Sequence, residues 1–168
     1  MKISSKLEPP DSCHLDAAQG WLGLGDWASA NEELDKISPE FRAHSGVLQA
    51  RFHVYAAAKQ WAMAAGIARA ITIISPDSPF GWMDLAYVLY ELERAEDART
   101  VLLSIVDKFP NEYLIFYSLA CYTCQLGNYR EALEWLQKAI RLANTSEVKQ
   151  MVVNNPDLQP LWDHMGQT

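Results

Sequence analysis

Cysteine is scarce in this chain of 168 residues, and the three present are an odd number. That count argues against an oxidised disulfide framework and reads as free thiols. Positive charge is also short: 14 basic side chains against 21 acidic ones leave a formal charge of −7, the wrong sign for holding a phosphate backbone. Nucleic acid is therefore not the expected partner. No uninterrupted apolar run reaches the roughly 18 residues a membrane helix needs, and the opening Met1-Lys-Ile-Ser-Ser-Lys6 lacks the apolar core of a signal peptide. Together these absences predict a soluble, cytoplasmic protein that does not bind membranes. Metalloprotease, nucleophile-elbow, Walker and calcium-loop motifs are missing as well, so no catalytic set is legible and no cofactor is expected. What is plentiful is apolar surface: 49% of the residues are hydrophobic, enough for a real core without an extra staple.

The apolar residues recur. Four ungapped segments of 34 residues start at Asp11, Ser45, Pro79 and Tyr113. Position 20 of each is alanine: Ala30, Ala64, Ala98 and Ala132. Position 17 holds Trp27, Trp61, Ala95 and Tyr129, and position 27 holds Ile37, Ile71, Ile105 and Ala139. Positions 4, 7, 8 and 11 share one face of a first helix, and an alanine at 20 lets a second helix approach it closely. A single hairpin leaves apolar faces wet, so such units stack. Pro76 and Pro110, both at position 32, mark where the second helices must stop.

This pattern resembles the tetratricopeptide repeat. The residues that carry the likeness are Trp82, Leu85, Ala86, Leu89 and Ala98 in the third unit, and Phe116, Leu119, Ala120 and Ala132 in the fourth. The resemblance implies an all-α fold, a right-handed α-solenoid of four helix-turn-helix repeats closed by a C-terminal capping helix. The units are 11–44, 45–78, 79–112 and 113–144, after a flexible segment 1–10 and before a capping helix and tail 145–168. In Gly23-Leu-Gly25-Asp-Trp-Ala28, a nominal dinucleotide fingerprint, no strand precedes the glycines. Gly25 falls at position 15, as does Gly127, and both read as turn residues.

Departures from the pattern raise specific expectations. Unit two has Arg51 at position 7 and Phe52 at position 8, and unit one has His14 at position 4. The plainer expectation is that Phe52 fills the core while Arg51 lays its stem along it and reaches water or a carboxylate. The functional alternative puts Arg51 and His53 on a recognition surface. Ser38-Pro39-Glu40 ends the first unit early. Beyond the repeats, 144–155 reads as a helix with Asn144 capping it three residues before Glu147. Pro156 then opens a short helix carrying Leu158, Leu161, Trp162 and Met165 on one side, which Pro160 keeps short or irregular.

Cys121 and Cys124 are three apart, a spacing shared by redox couples and half zinc sites. Both fall in mid-helix, without the helix amino terminus that lowers a thiol pKa. The matching positions of unit three are Tyr87 and Tyr90, which supply no further metal ligands. A redox or metal role is therefore the third-ranked reading.

Positions 2, 5, 9 and 12 of the first helices are not needed for a unit's own packing. In the family these helices line a concave groove that binds peptides. Carried over residue by residue, the expected partner-binding groove is Gln49, His53, Phe80, Met83, Tyr87, Tyr90, Leu114, Tyr117 and Cys121. Against this stands the expectation that part of the stripe packs on neighbouring helices or on the chain's own tail. The Lys, Asn and Arg set of the family's chaperone-tail receptors is replaced by Leu15, Gln19, Ala50, Phe80 and Asp84, which disfavours a terminal carboxylate as ligand. The leading expectation is a non-catalytic protein-interaction module, an adaptor or chaperone-like scaffold binding an apolar or amphipathic segment. The alternative is homo-oligomeric assembly, a homodimer included, through the groove or a terminal face with Trp135 and Trp162.

Overall fold

In the computed structural model, which describes residues 6–143 and 146–166, every α-helix predicted from the 34-residue period is present. The first helices of the four units are α1 (Asp11–Gly23), α3 (Ser45–Ala57), α5 (Phe80–Glu91) and α7 (Tyr113–Gln125). The second helices are α2 (Trp27–Asp35), α4 (Trp61–Ile74), α6 (Ala95–Leu103) and α8 (Tyr129–Ala143). Two more, α9 (Ser146–Asn154) and α10 (Gln159–Gly166), follow the repeats, with a 3-10 turn Pro156–Leu158 before α10. The described residues contain no strand, and none of their helices is long and apolar enough to cross a membrane. The capping role expected of Asn144 lies outside the described residues, as do residues 1–5 of the segment expected to be flexible.

One turn geometry closes all four hairpins. Position 15 is left-handed each time: Gly25 at φ 80°, Lys59 at 54°, Glu93 at 60° and Gly127 at 79°. The amide at position 16 reaches back to the carbonyl at position 11, as in Asp26 N to Trp21 O (2.9 Å), Gln60 to Tyr55 (2.8 Å), Arg94 to Leu89 (2.9 Å) and Asn128 to Thr123 (3.1 Å). Position 15 bonds position 12 in parallel, from Gly25 to Leu22 and from Gly127 to Cys124. This is the Schellman arrangement, which favours glycine because a Cβ crowds the left-handed backbone. Lys59 and Glu93 carry that penalty. Lys59→Gly and Glu93→Gly are each expected to raise the free energy of unfolding by up to about 1 kcal/mol, measured in urea titrations.

Two compact units divide the chain within α5, after Val88. In the first, the core gathers Ala18, Ala30, Leu34, Ile37, Val47, Ala50 and Val54. Ala30 and Ala64, both fully buried, are the close-approach alanines of this unit. Leu7, just before α1, is buried in the same cluster. Asp11 is buried too, because it accepts a 2.7 Å bond from the Ser38 amide. Phe52 is buried, and Arg51 donates from Nη2 to the Leu34 carbonyl (3.0 Å) and to Asp35 Oδ1 (2.9 Å). The arginine thus satisfies the C-terminal end of α2, in line with the plainer expectation. His14 is bonded through Nδ1 to Glu33 Oε2 at 2.8 Å.

The second unit is organised on α7, where Ile115, Phe116, Leu119 and Ala120 are fully buried. Phe116 stacks on Trp135 with ring centroids 6.0 Å apart. Ala98 and Ala132 are fully buried here as well. Arg99 Nη2 donates to Glu131 Oε1 at 2.7 Å, and Trp135 Nε1 donates to the same oxygen at 3.1 Å. Burial raises the Glu131 pKa, but these two bonds outweigh it and hold the carboxyl below its usual range.

Candidate functional site

The stripe at positions 5, 9 and 12 divides into an open half and a covered half. In the first unit, α1 contributes Gln19, Leu22 and Gly23, and α3 contributes Gly46, Gln49, Ala50, His53 and Ala57 to one groove of about 650 Å³. Its floor is small because glycine and alanine stand where other repeats carry bulk. Its rim is neutral and hydrogen-bonding: two glutamine amides and an imidazole, with Leu22 as the apolar wall. Gln49 Nε2 donates to Asp84 Oδ2 at 3.0 Å and lies 3.4 Å from His53 Nε2. Asp84 is half-buried, and that desolvation raises its carboxyl pKa against the lowering effect of the Gln49 bond.

Phe80, 60% exposed, joins Gln49, Ser45 and Ile71 around a second hollow of about 310 Å³. Tyr87 is exposed and meets Trp61 edge-on, with centroids 6.0 Å apart. Met83 is half-buried. Gln49, His53, Phe80, Met83 and Tyr87 therefore share the first unit. Gly46 and Ala57 went unnoticed in the sequence, and Ala50 was noted only as replacing a carboxylate-binding side chain, because small residues mark a groove only by the absence of bulk.

In the second unit the stripe is covered by the chain's own tail. Asn155 Nδ2 donates to Tyr117 Oη (2.5 Å) and lies 3.4 Å from Cys121 Sγ. Gln125 Nε2 donates to the Asp157 carbonyl at 2.7 Å. Leu158 and Leu161 are buried. Tyr90 stacks on Tyr122 at 4.7 Å, and burial, reinforced by the nearby Asp157, raises its hydroxyl pKa. Of the stripe residues expected to line the groove, Tyr117 and Cys121 meet Asn155 of the tail, as the alternative expectation of packing on the chain's own tail allowed, and Tyr90 stacks on Tyr122. Leu114 is half-buried. The tail packs on the last hairpin, with the turn Pro156–Leu158 on α7 and α10 against both α7 and α8.

Cys121 and Cys124 are both buried, whereas Cys13 is exposed. Burial, reinforced by the nearby Asp157 charge, pushes the Cys121 thiol up to about 12, and burial raises Cys124 as well. Such thiols are poor nucleophiles at neutral pH. No group of three or more His, Cys, Asp or Glu among the described residues could hold a metal ion.

Comparison with known proteins bears on the fold. Residues 116–145 match a family described as tetratricopeptide repeat. Among the curated proteins there is no match. Among solved structures, MamA 41-end from Desulfovibrio magneticus RS-1 is similar at 16% identity, covering 96% of this chain and 94% of that one, with a TM-score of 0.72. A MamA RS-1 double mutant gives 18% identity, 82% and 78% coverage, and a TM-score of 0.71. PilF of Pseudomonas aeruginosa gives 19%, 91% and 72%, and 0.70. At these identities the likeness is one of fold, an α-solenoid of helical repeats. With four Schellman-closed hairpins in a 34-residue register, the chain has the fold of helical-repeat solenoids, and its fourth unit matches the tetratricopeptide repeat in sequence.

Proposed function

We propose that the chain is a non-catalytic protein-binding module, an adaptor or chaperone-like scaffold, that takes a segment of another polypeptide in the groove between α1 and α3. The observation that carries the reading is the register. Positions 5, 9 and 13 of unit four hold a polypeptide segment through Tyr117, Cys121 and Gln125; positions 5, 9 and 13 of unit two are Gln49, His53 and Ala57, which line the open groove. A segment laid there meets amide and imidazole groups able to pair with its backbone, and a small floor that admits one large apolar anchor against Leu22. Phe80, Met83 and Tyr87 extend the surface with aromatic and thioether contacts.

Self-association through Trp135 and Trp162 is the weaker reading, because both are half-buried and Trp135 is stacked on Phe116. A random-peptide display library panned on the immobilised chain is expected to enrich segments with a single large apolar anchor. Ala57→Trp, placed at the exposed mouth of the groove, is expected to weaken an enriched peptide by about tenfold or more while leaving the melting temperature unchanged. Equal binding to both chains would remove the groove as the site.

A further inference from the structure

We propose that the face formed by Tyr90, Tyr117, Cys121, Cys124 and Gln125 is a second segment-binding site, whose resident ligand is the chain's own residues 155–161. A partner presenting the same chemistry displaces it: an Asn-Pro-acidic-Leu stretch with a second leucine three residues further on. This goes beyond the α1–α3 reading, since it concerns a different unit and stands or falls without it.

The tail is held in the way a repeat protein holds a peptide. One side-chain amide is read, because Asn155 Nδ2 reaches the Tyr117 hydroxyl at 2.5 Å and lies 3.4 Å from the Cys121 sulfur. One backbone carbonyl is taken, that of Asp157 by Gln125 at 2.7 Å. Two leucine anchors, Leu158 and Leu161, are 0% and 1% exposed. Asn155 Oδ1 also accepts from the Asp157 amide at 2.8 Å, so the segment arrives in its bound turn and loses little entropy on docking. Contacts shared between backbone, one amide and two spaced anchors define a ligand that another chain can copy.

The tail is also replaceable. Trp162 Nε1 is buried with no hydrogen-bond partner among the described residues, a desolvation penalty that a segment lacking the tryptophan escapes. Tethering offsets that weakness by holding the tail at an effective concentration in the millimolar range. Occupancy by a free partner is then reduced by the fraction of time the tail is docked.

The probe is a fluorescein-labelled peptide of residues 155–161, Asn-Pro-Asp-Leu-Gln-Pro-Leu. It is expected to bind the full chain carrying Leu158→Asp and Leu161→Asp at least about 30-fold more tightly than the natural chain. The same peptide with Asn155→Ala is expected to lose about tenfold, and Ala57→Trp in the α1–α3 groove is expected to change nothing. Equal affinity for the two chains, or no binding to the variant with its helical circular dichroism intact, overturns the proposal. Should the double variant lose its helices, the single variant Asn155→Ala decides, read in a Cys13→Ser background by the rate of thiol labelling at Cys121 and Cys124. A rise of about fivefold or more, suppressed by excess peptide, supports a displaceable tail; an unchanged rate, or a rise the peptide does not suppress, overturns it.

Discussion

Phe116→Ala is expected to destabilise the chain by about 3–5 kcal/mol and to lower its melting temperature by roughly 6–20 °C. Phe116 occupies position 4 of unit four and is fully buried. Its ring stacks on Trp135 at 6.0 Å with an interplanar angle of 23°, and the Lys138 ammonium lies 4.0 Å from its centroid. Truncation removes the transfer free energy of the ring, the aromatic pair and the cation contact together. Its neighbours on the same helix, Ile115, Leu119 and Ala120, are themselves fully buried, so the cavity has little room to collapse. Phe116→Leu keeps most of the volume and is expected to cost about 1 kcal/mol. Thermal unfolding followed by circular dichroism checks both, and equal melting temperatures for the alanine and natural chains would show that α7 does not organise this unit.

Gly81→Ala and Gly66→Ala are expected to move stability in opposite directions although both glycines are helical. A Cβ on Gly81 would stand 2.7 Å from Ile71 Cγ2, 3.1 Å from Ile71 Cβ and 3.1 Å from the Thr72 backbone nitrogen. Ile71 is buried, and a backbone atom cannot rotate away, so the start of α5 must lift off α4. Overpacking of this kind costs about 1–3 kcal/mol, and the gain in helix propensity is small at the first turn of α5. Gly66 lies in the middle of α4 with nothing within 4 Å of a built Cβ. There the alanine is expected to stabilise by up to about 1 kcal/mol. Urea titrations of the two variants against the natural chain resolve the signs, and a shared sign would contradict the close approach of α5 to α4.

Sequence periodicity reached the groove only in part. Gln49, His53, Phe80, Met83 and Tyr87 could be placed on one stripe because helical spacing dictates which residues share a face. Tyr117 and Cys121 have the same spacing, yet they meet Asn155 of the tail. Nothing in the stripe itself distinguishes them, since side-chain type is a poor report of exposure. The signal lay more than 30 residues away, in a tail whose Leu158 and Leu161 required an apolar face somewhere. Lys59 and Glu93 taught a related lesson. Register with Gly25 and Gly127 was the only clue that they would be left-handed.

The sequence by itself determined the all-α class of helical repeats and the four buried alanines at position 20. Each rests on interactions between residues within one 34-residue unit, where helix geometry and steric size leave few alternatives. Only the tertiary structure decided which stretch of first-helix surface stands open, where the tail lies and which glycine is pressed against a neighbouring helix. Those outcomes are competitions among segments distant along the chain for the same apolar surface. Differences of a few kcal/mol settle them, and no local pattern encodes so small a difference.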